Sequence, residues 1–502
     1  MGRIAVIGAG MGAMAAAARL AVAGHRVTVY ERTETYGGGV RRFERDGFAF
    51  DTGPGLLPLP AVYRDLFVKT GKEPLEDCVE LVQVDPSARH VFADGTEVSL
   101  PNASRAGVVA ALDEALGAGA GQRWGDFLVR AGEAWDPTRR PLLEEPLWPN
   151  WQMLAEREPY PSVPHKKMLR TRRASTLHEI GVWELRDPRL RELLDGYALA
   201  HGIDPGIAPA SAAVLPYLEH AFGTWYVRGG TRELARAVYE RCVQRRVEFV
   251  FGTEVVRVLE KDGRAAGVEL ADRTVVEADF VVGTGPWRLG GLVAGRELYR
   301  AQDVRPEPED RYLGRVVVCL ALRGAREPAA VHRTVVHGPD AEGDLDMWGH
   351  GELPDRPTVV VDRPDDPALR PDAGHESVVV TATVPSAARY DWAAPGAADA
   401  FADHVVAAAE RAVPGLRERL LWREVRTPVD TERETGALGG AVPPPALAAA
   451  EGVLHPSNTT ALPGLFTAGG WSHPGGGLPH AGMSGALVAG LIVEGPEFRG
   501  SQ

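Results

Sequence analysis

At 502 residues, with 44% apolar and 25% charged side chains, the chain has an ordinary soluble globular composition and exceeds what one compact core accommodates. Its net charge of −13 argues against a general nucleic-acid binder, which carries a basic surplus. Three widely spaced cysteines, Cys78, Cys242 and Cys319, exclude a disulfide scaffold and a zinc ribbon and suit a reducing cytoplasm.

Taken in chain order, Arg3-Ile4-Ala5-Val6-Ile7 is a short β-branched and apolar run, read as a buried parallel strand. It runs straight into a glycine turn, with no charged-then-apolar leader pattern before it. Residues 11–23 are alanine-rich and predict a helix stopped by Gly24, and Val27-Thr28-Val29-Tyr30 predicts the next strand. Gly37 to Pro60, rich in glycine and proline, reads as structured loop. From about 76 to 222 the pattern is of polar helices with proline breaks; the clearest start is the Asp187-Pro188 cap leading into Arg189 to Ala198. β character returns at 247–250, 254–259, 267–270 and 278–282, and again at 315–320 and 376–384, before a helix at 397–412. The end, 464–493, reads strand, glycine loop, helix. No stretch approaches the roughly 18 apolar residues that span a bilayer. The expected domains are a discontinuous nucleotide-binding one from 1–75, 225–290 and 425–502, and a substrate-binding one from 76–224 and 291–424.

Gly8-Ala9-Gly10-Met11-Gly12-Ala13 is a G-x-G-x-x-A dinucleotide fingerprint. Gly8 permits the tight turn off the strand, Gly10 lets the backbone approach a pyrophosphate, and Ala13 sits where helix packs near strand. The helix N-terminus favours the phosphate charge. Glu31 follows Gly8 by 23 positions, the place of an acceptor for ribose hydroxyls, and Arg32 lies beside it. A carboxylate at 31 repels a 2′-phosphate.

Further motifs resemble one family. Gly37-Gly38 and Gly47-Phe48-Ala49-Phe50-Asp51-Thr52-Gly53-Pro54-Gly55 look like the flavin-binding start of the bacterial phytoene desaturases. The resemblance continues through Ile207 to Gly230, Asp366 to Leu369, Thr427 to Gly440 and Pro463 to Pro479, in the family's order over nearly the whole chain. It implies FAD as cofactor and an α/β fold: a Rossmann-like FAD-binding domain of the glutathione reductase/amine oxidase type with an inserted α+β substrate domain. It also implies a second flavin contact at Gly469, Gly470, Gly476, Gly477, Leu478 and Pro479, and an adenine contact from the backbone of Val255. Gly38, Gly39, Gly53, Pro54 and Gly55 join the expected cofactor shell. The chain departs from the family at Gly39, where relatives carry a pyrophosphate-binding arginine; Arg41 or Arg42 stands in for it, or both are solvated surface charges.

The implied reaction is desaturation of an apolar polyene or isoprenoid-like substrate, as in carotenoid biosynthesis, by hydride transfer to flavin. The alternatives within the fold are a flavin-dependent double-bond isomerase or saturase, an amine oxidase, and a non-catalytic lipid-binding escort. His473 and His480 flank the glycine loop and are candidate proton acceptors; the plain alternative is that they hydrogen-bond and pack. Trp225, Tyr226 and Trp471 are read as pocket lining, and Asp51 as a loop-fixing acceptor. No hydrolytic triad, HExxH or metal cluster is present in the sequence. The basic stretch 165–173, near Leu147, Trp148 and Trp151, is either a solvated loop or a peripheral contact at the inner membrane face. The expected partner is thus an apolar small molecule, with no nucleic acid.

Overall fold

The computed structural model describes residues 1–147, 152–165, 170–293, 297–299, 313–339, 352–449 and 452–500. The elements used below are, in chain order, β1 (Arg3–Ile7), α1 (Met11–Val22), β2 (Arg26–Tyr30), β3 (Ala88–Val91), β4 (Glu97–Leu100), α2 (Pro188–Ala200), α3 (Val214–Phe222) and α4 (Thr231–Gln244). There follow β5 (Glu248–Val250), β6 (Phe280–Gly283), β7 (Leu313–Arg323), β8 (Arg333–Val336), β9 (Val359–Asp362) and β10 (His375–Pro385). Last come α5 (Ala397–Ala409), β11 (Leu420–Arg426), α6 (Pro428–Thr435), β12 (Leu465–Thr467) and α7 (Leu478–Val493).

A parallel five-stranded sheet, in the order β5-β2-β1-β6-β12, is drawn from the beginning, middle and end of the chain. Its inner strands β1 and β6 are short and almost wholly buried, as expected of a parallel sheet covered on both faces. On one face lie α1 and α7. Ala15, Ala16, Ala17 and Ala18 are fully buried, because only small side chains let these helices approach so closely. A Cβ added to Gly485 of α7 would lie 2.4 Å from the Gly12 carbonyl oxygen. The crossing therefore brings the N-terminus of α7 to the N-terminus of α1.

A mixed seven-stranded sheet, β11-β7-β10-β9-β8-β3-β4, builds the other half. Strand alternation sorts its two faces. Val316, Val318, Leu320 and Leu322 of β7, with Val378, Val380, Ala382 and Val384 of β10, form a dry core against Phe401, Ala402, Val405 and Val406 of α5. Each of the valine, leucine and phenylalanine side chains contributes about 1.5–3 kcal/mol by burial. The opposite face, carrying Arg315, Arg333, Asp362, Thr381 and Thr383, stays partly accessible although α2 and α3 lie on that side. Leu199 accepts from Thr383 there, and Gly196 packs toward His337.

Several element readings need correction. Gly37 to Pro60 contains a hairpin, Arg42–Arg45 with Phe48–Asp51, and a short strand at Leu57–Pro58. The hairpin is held by Phe43, Phe48 and Phe50 against Trp422, a period-two aromatic pattern that the flanking glycines and prolines obscured. The stretch read as helices from 76 to 222 also supplies β3 and β4 to the large sheet. Pro188 opens α2 as expected, with the Asp187 carboxylate accepting from the Arg189 amide at 2.9 Å. Among the described residues no helix is long and apolar enough to cross a membrane. Of the basic stretch, Val163–His165 pairs with Arg170–Arg172; residues 166–169, Trp148 and Trp151 lie outside the described residues.

Candidate active site

The N-terminal turn has the geometry its sequence demands. Gly8 adopts φ +93°, and a Cβ there would also strike the Thr284 hydroxyl at 2.8 Å. Gly10 caps α1 without any side-chain cap and without an acid in the first turn, leaving the helix start open to an anion. Met11 and Ala13 are buried beneath it. Gly12 packs on the other half of the site, since a Cβ would lie 2.8 Å from Gly469 Cα and from the Ala481 carbonyl oxygen. Glu31 directly follows β2 and is buried, with its carboxylate oriented by two amides: Ala9 donates to Oε2 and Thr33 to Oε1, each at 2.8 Å. Each oxygen retains a further acceptor site for a hydroxyl. Arg32 turns away to the Arg433 carbonyl. Val255 is buried at the start of the strand Val255–Lys261, just beyond Thr253, whose amide donates to the Glu31 carbonyl.

Gly38 lies back to back with Gly10, and the Gly37 amide donates to the Ala9 carbonyl at 2.7 Å. Gly53 presses on Gly39 from below, so that the loops carrying Gly10, Gly38 and Gly53, with Pro54 and Gly55 following, form one stack of nearly bare backbone. Gly39 is exposed, and a Cβ there would meet nothing within 4 Å. The two neighbouring arginines part company. Arg41 folds back on this loop, donating from Nε to the Gly38 carbonyl at 2.9 Å and from Nη2 to Thr33 Oγ1 and the Glu434 carbonyl. Arg42, the first residue of the hairpin, bonds the Gly229 carbonyl and pairs with Glu233 of α4. Both line a polar cavity of about 160 Å³ with Thr35, Thr52, Arg232, Arg426 and Glu434. Burial lowers the Arg41 pKa, opposed by the carboxylates of Glu434 and Glu31.

At the other terminus, Gly477 caps α7, again with no side-chain cap, and is exposed, whereas Gly475 and Gly476 are buried. The buried pair is spent within the protein: Gly476 donates to the Pro444 carbonyl, and a Cβ on it would overlap the Pro443 carbonyl at 1.7 Å. Gly469 faces open space, with no atom within 4 Å of a Cβ, and Gly470 packs on Pro443. The Leu478 carbonyl accepts from the Tyr63 hydroxyl, and Pro479 fills the first turn of α7. Sequence reasoning missed Asn458 and Ser484, which staple this loop. Asn458 Nδ2 donates to the carbonyls of Thr467 and His473, while Ser484 Oγ donates to His473 and accepts from the Gly469 amide. No local pattern marks them, because their partners are backbone groups brought in by the fold.

His473 and His480 prove dissimilar. His473 is fully buried, its Nε2 paired with the Glu145 carbonyl at 2.9 Å, and burial lowers its pKa to about 4. His480 lines a small, mostly apolar cavity of about 20 Å³ with Trp135, Leu143, Leu215, Leu218, Pro445 and Leu447, and is the one titratable residue in its lining. Burial lowers it to about 3, so both imidazoles are neutral near pH 7. Trp471 is buried near His455, and Trp225 is partly exposed on Thr224–Val227. Tyr226 is buried, its hydroxyl donating to Asp366 at 2.7 Å. Asp51 accepts from the Thr231 amide, and desolvation raises its pKa to about 6. Among the described residues no His, Cys, Asp and Glu group forms a metal cluster.

Two uncapped helix starts, a paired carboxylate at the end of β2, and open space at Gly39 and Gly469 fit a diphosphate-linked dinucleotide such as FAD. Comparison with known proteins agrees. Residues 14–493 match the family described as flavin containing amine oxidoreductase. The chain is 31% identical over 513 residues to a hydroxyneurosporene desaturase of Cereibacter sphaeroides, covering 98% of this chain and 97% of that one. It is 28% identical over 506 residues to a 4,4'-diapolycopene oxygenase of Methylomonas, with 98% of each chain covered. A zeta-carotene-forming phytoene desaturase of Myxococcus xanthus is likewise 28% identical, over 97% of this chain and 93% of that one. Among solved structures, an oxidoreductase from Methanosarcina mazei superposes with TM-score 0.64 at 17% identity over 97% of this chain and 99% of that one. Putrescine oxidase bound to putrescine superposes with TM-score 0.60 at 14% identity over 98% and 99%.

Proposed function

The chain belongs to the flavin containing amine oxidoreductases and is an FAD-dependent oxidoreductase; from that premise we propose that it desaturates an acyclic polyene. The observation that carries the substrate class is the full-length likeness to enzymes named as desaturases of carotenoid chains; the apolar lining beside His480 at the start of α7 agrees with it, although the space it encloses is only about 20 Å³. A primary or secondary amine needs a polar or aromatic recognition site, whereas a hydrocarbon chain needs a dry wall.

In this reading bound FAD supplies the two-electron acceptor for hydride. The protein's share is positioning, exclusion of water and handling of one proton. Gly10 and the following amides of α1, with Arg41, would hold the diphosphate, Glu31 would accept from the ribose hydroxyls, the Val255 backbone would meet the adenine, and Gly469, Gly470 and Gly477 would leave room for the flavin. His480, neutral at working pH, accepts the proton lost beside the hydride-donating carbon. A weak base suffices, because a C–H bond next to a developing cationic carbon is strongly acidic. His473 holds the glycine loop through Glu145. We assign 1–75, 225–290 and 425–502 to the cofactor-binding body and the remainder to the substrate body; the origin of the five parallel strands supports this. The hairpin bearing Arg170 and Arg172 supports a basic surface contact with anionic lipid, through which an apolar substrate is delivered.

The test is anaerobic mixing of FAD-loaded enzyme with an acyclic polyene. Bleaching of the flavin band matched by one new double bond is expected. Product formed with the flavin spectrum unchanged would instead make the enzyme an isomerase. His480→Phe should lower turnover by roughly 10²–10⁴ with FAD content unchanged.

A further inference from the structure

The polar cavity beside the hairpin carries more positive charge than the protein neutralises. Arg41, Arg42, Arg232 and Arg426 line its space of about 160 Å³, and Glu434 is the one carboxylate in the lining. Glu434 is taken up by Arg426. Arg42 has only longer ion pairs, with Glu233 at 3.5 Å and Glu44 at 3.7 Å, and its Nε is buried without a hydrogen bond. Among the described residues Arg41 and Arg232 form no ion pair. Arg41 bonds two carbonyls and a hydroxyl. Arg232 donates to the carbonyls of Tyr36 and Val40 and to Thr35 Oγ1, and its guanidinium lies 4.0 Å over the Tyr36 ring.

These cations act on one another. Burial lowers the pKa of Arg232, and Arg41 and Arg42 push it in the same direction; Arg426 does the same to Arg41. Asp51, the register partner of Arg42, lies in electrostatic range of Arg42 and Arg232, but its Oδ2 is engaged by the Thr231 amide and hydroxyl. Like charges gathered away from water are costly unless a counter-charge joins them.

The cavity lies apart from the helix start at α1. A Cβ on Gly38 would stand 3.0 Å from Gly10 Cα, whereas a Cβ on the preceding Gly37 would stand 2.7 Å from Arg232 Nη1. The glycine loop therefore runs between the α1 start and Arg232. Arg42 turns away from that loop, to Gly229 and Glu233 at the start of α4. Of the four arginines, Arg41 alone bonds Gly38. The space far exceeds the roughly 10–15 Å³ that one water needs. Guanidinium forks match phosphate oxygens with paired, charge-assisted hydrogen bonds. We propose that this cavity is a second anion site, distinct from that of FAD, which binds a phosphate group between Arg42, Arg232 and Arg426. Thr52, which follows the hairpin, adds a hydroxyl to the lining. The bound anion joins the hairpin, α4 and β11, three stretches remote in sequence.

The test is calorimetric titration of the FAD-loaded enzyme with inorganic phosphate at constant ionic strength. No turnover is involved, so the outcome is independent of the desaturase reading. One phosphate per chain should bind, with a dissociation constant below about 1 mM. Arg232→Met and Arg426→Met should each weaken it at least about tenfold while the flavin is retained, as expected for loss of a charge-assisted contact. Arg232→Lys, which keeps the charge and loses the fork, should fold and bind less tightly than the wild type, and thermal melting identifies any variant that has not folded. Neutral-lipid vesicles carrying a lipid phosphate monoester show the source of the group: sedimentation of the wild type that is lost in Arg232→Met assigns a headgroup, and absence of sedimentation assigns a soluble phosphate. No saturable binding to the loaded enzyme, or equal binding by the wild type and the folded methionine variants, overturns the site. Phosphate binding to the apoprotein that FAD displaces also overturns it, by making the cavity part of the cofactor's own site.

Discussion

The two glycine-rich helix starts look alike as sequence and differ as structures. At α1, Gly10 and Gly38 pack against each other, and Gly39 beside them presents bare backbone to open space. At α7, Gly475 and Gly476 are filled by the protein's own Pro443–Ala446 segment, leaving Gly477 as the one exposed member. A glycine run thus records close approach of something, and only the tertiary structure tells whether that something is a ligand or the chain itself.

The sharpest way to break this comparison is Gly476→Ala. An added Cβ overlaps main chain at the Pro443 carbonyl rather than a movable side chain, so the loop and its Asn458–Ser484 staples must shift. The loss should exceed about 4 kcal/mol and remove folding and FAD binding together, read by thermal melting of the apo and loaded protein. Melting of the apo form unchanged from wild type would show that the Pro443 contact does not hold the loop.

Next in size is the response to acid. The α7 start is ringed by His455, His473 and His480, which burial lowers to about 4, 4 and 3. The unfolded chain takes up these protons near pH 6.5 and the native state does not, so the stability they provide is present above that pH and is lost as pH falls toward 4. Asp51, beside Thr231 at the start of α4, has the opposite sign: its charge is costly above its folded pKa of about 6, and acid relieves that cost. With about 1.4 kcal/mol per pH unit for each group, the histidines outweigh the aspartate, and the melting temperature should fall steadily between pH 6.5 and 4.5. His473→Gln, which retains a donor toward Glu145, should flatten that slope; an unaltered slope would place the acid-sensitive groups elsewhere.

Why one start was legible and the other was not follows from where their partners lie. The α1 fingerprint is local: strand, turn, helix and Glu31 fall within a single βαβ unit, and period and spacing suffice. The space at the α7 start is decided by Pro443 and Pro444, which no periodicity links to Gly476. The choice between Arg41 and Arg42 needed the hairpin register, since Arg42 enters the strand paired with Asp51 while Arg41 precedes it and folds back on Gly38. His480, by contrast, was singled out by its place after the loop, although its depressed pKa depends on burial that sequence does not reveal.

Arg41→Met tests the α1 start at its phosphate edge. Losing a charge-assisted contact of about 1.5–3 kcal/mol should weaken FAD roughly ten- to hundredfold, measured by titrating apoprotein with the cofactor. The apo melting temperature should change little, because Arg41 bonds only the Gly38 carbonyl, the Thr33 hydroxyl and the Glu434 carbonyl in the last turn of α6. Arg42→Met should leave FAD affinity near the wild-type value, since its partners are Gly229 and Glu233.

The smallest effect, and the most discriminating, belongs to Gly39→Arg. Gly39 is absent from the positive-φ glycines, and a Cβ there meets no atom within 4 Å, so an arginine is accommodated without moving backbone. In the wild-type background a second guanidinium gains little, because Arg41 already lies on the same loop and the two cations repel; FAD should bind within about threefold of the original affinity. In the Arg41→Met background the same substitution should restore most of the lost affinity, a coupling that neither single change predicts. If Gly39→Arg instead excludes FAD in both backgrounds, the space beside Gly39 is filled by the ring or ribose rather than by phosphate. The exposed glycine would then serve close approach, as Gly476 does at the other helix start.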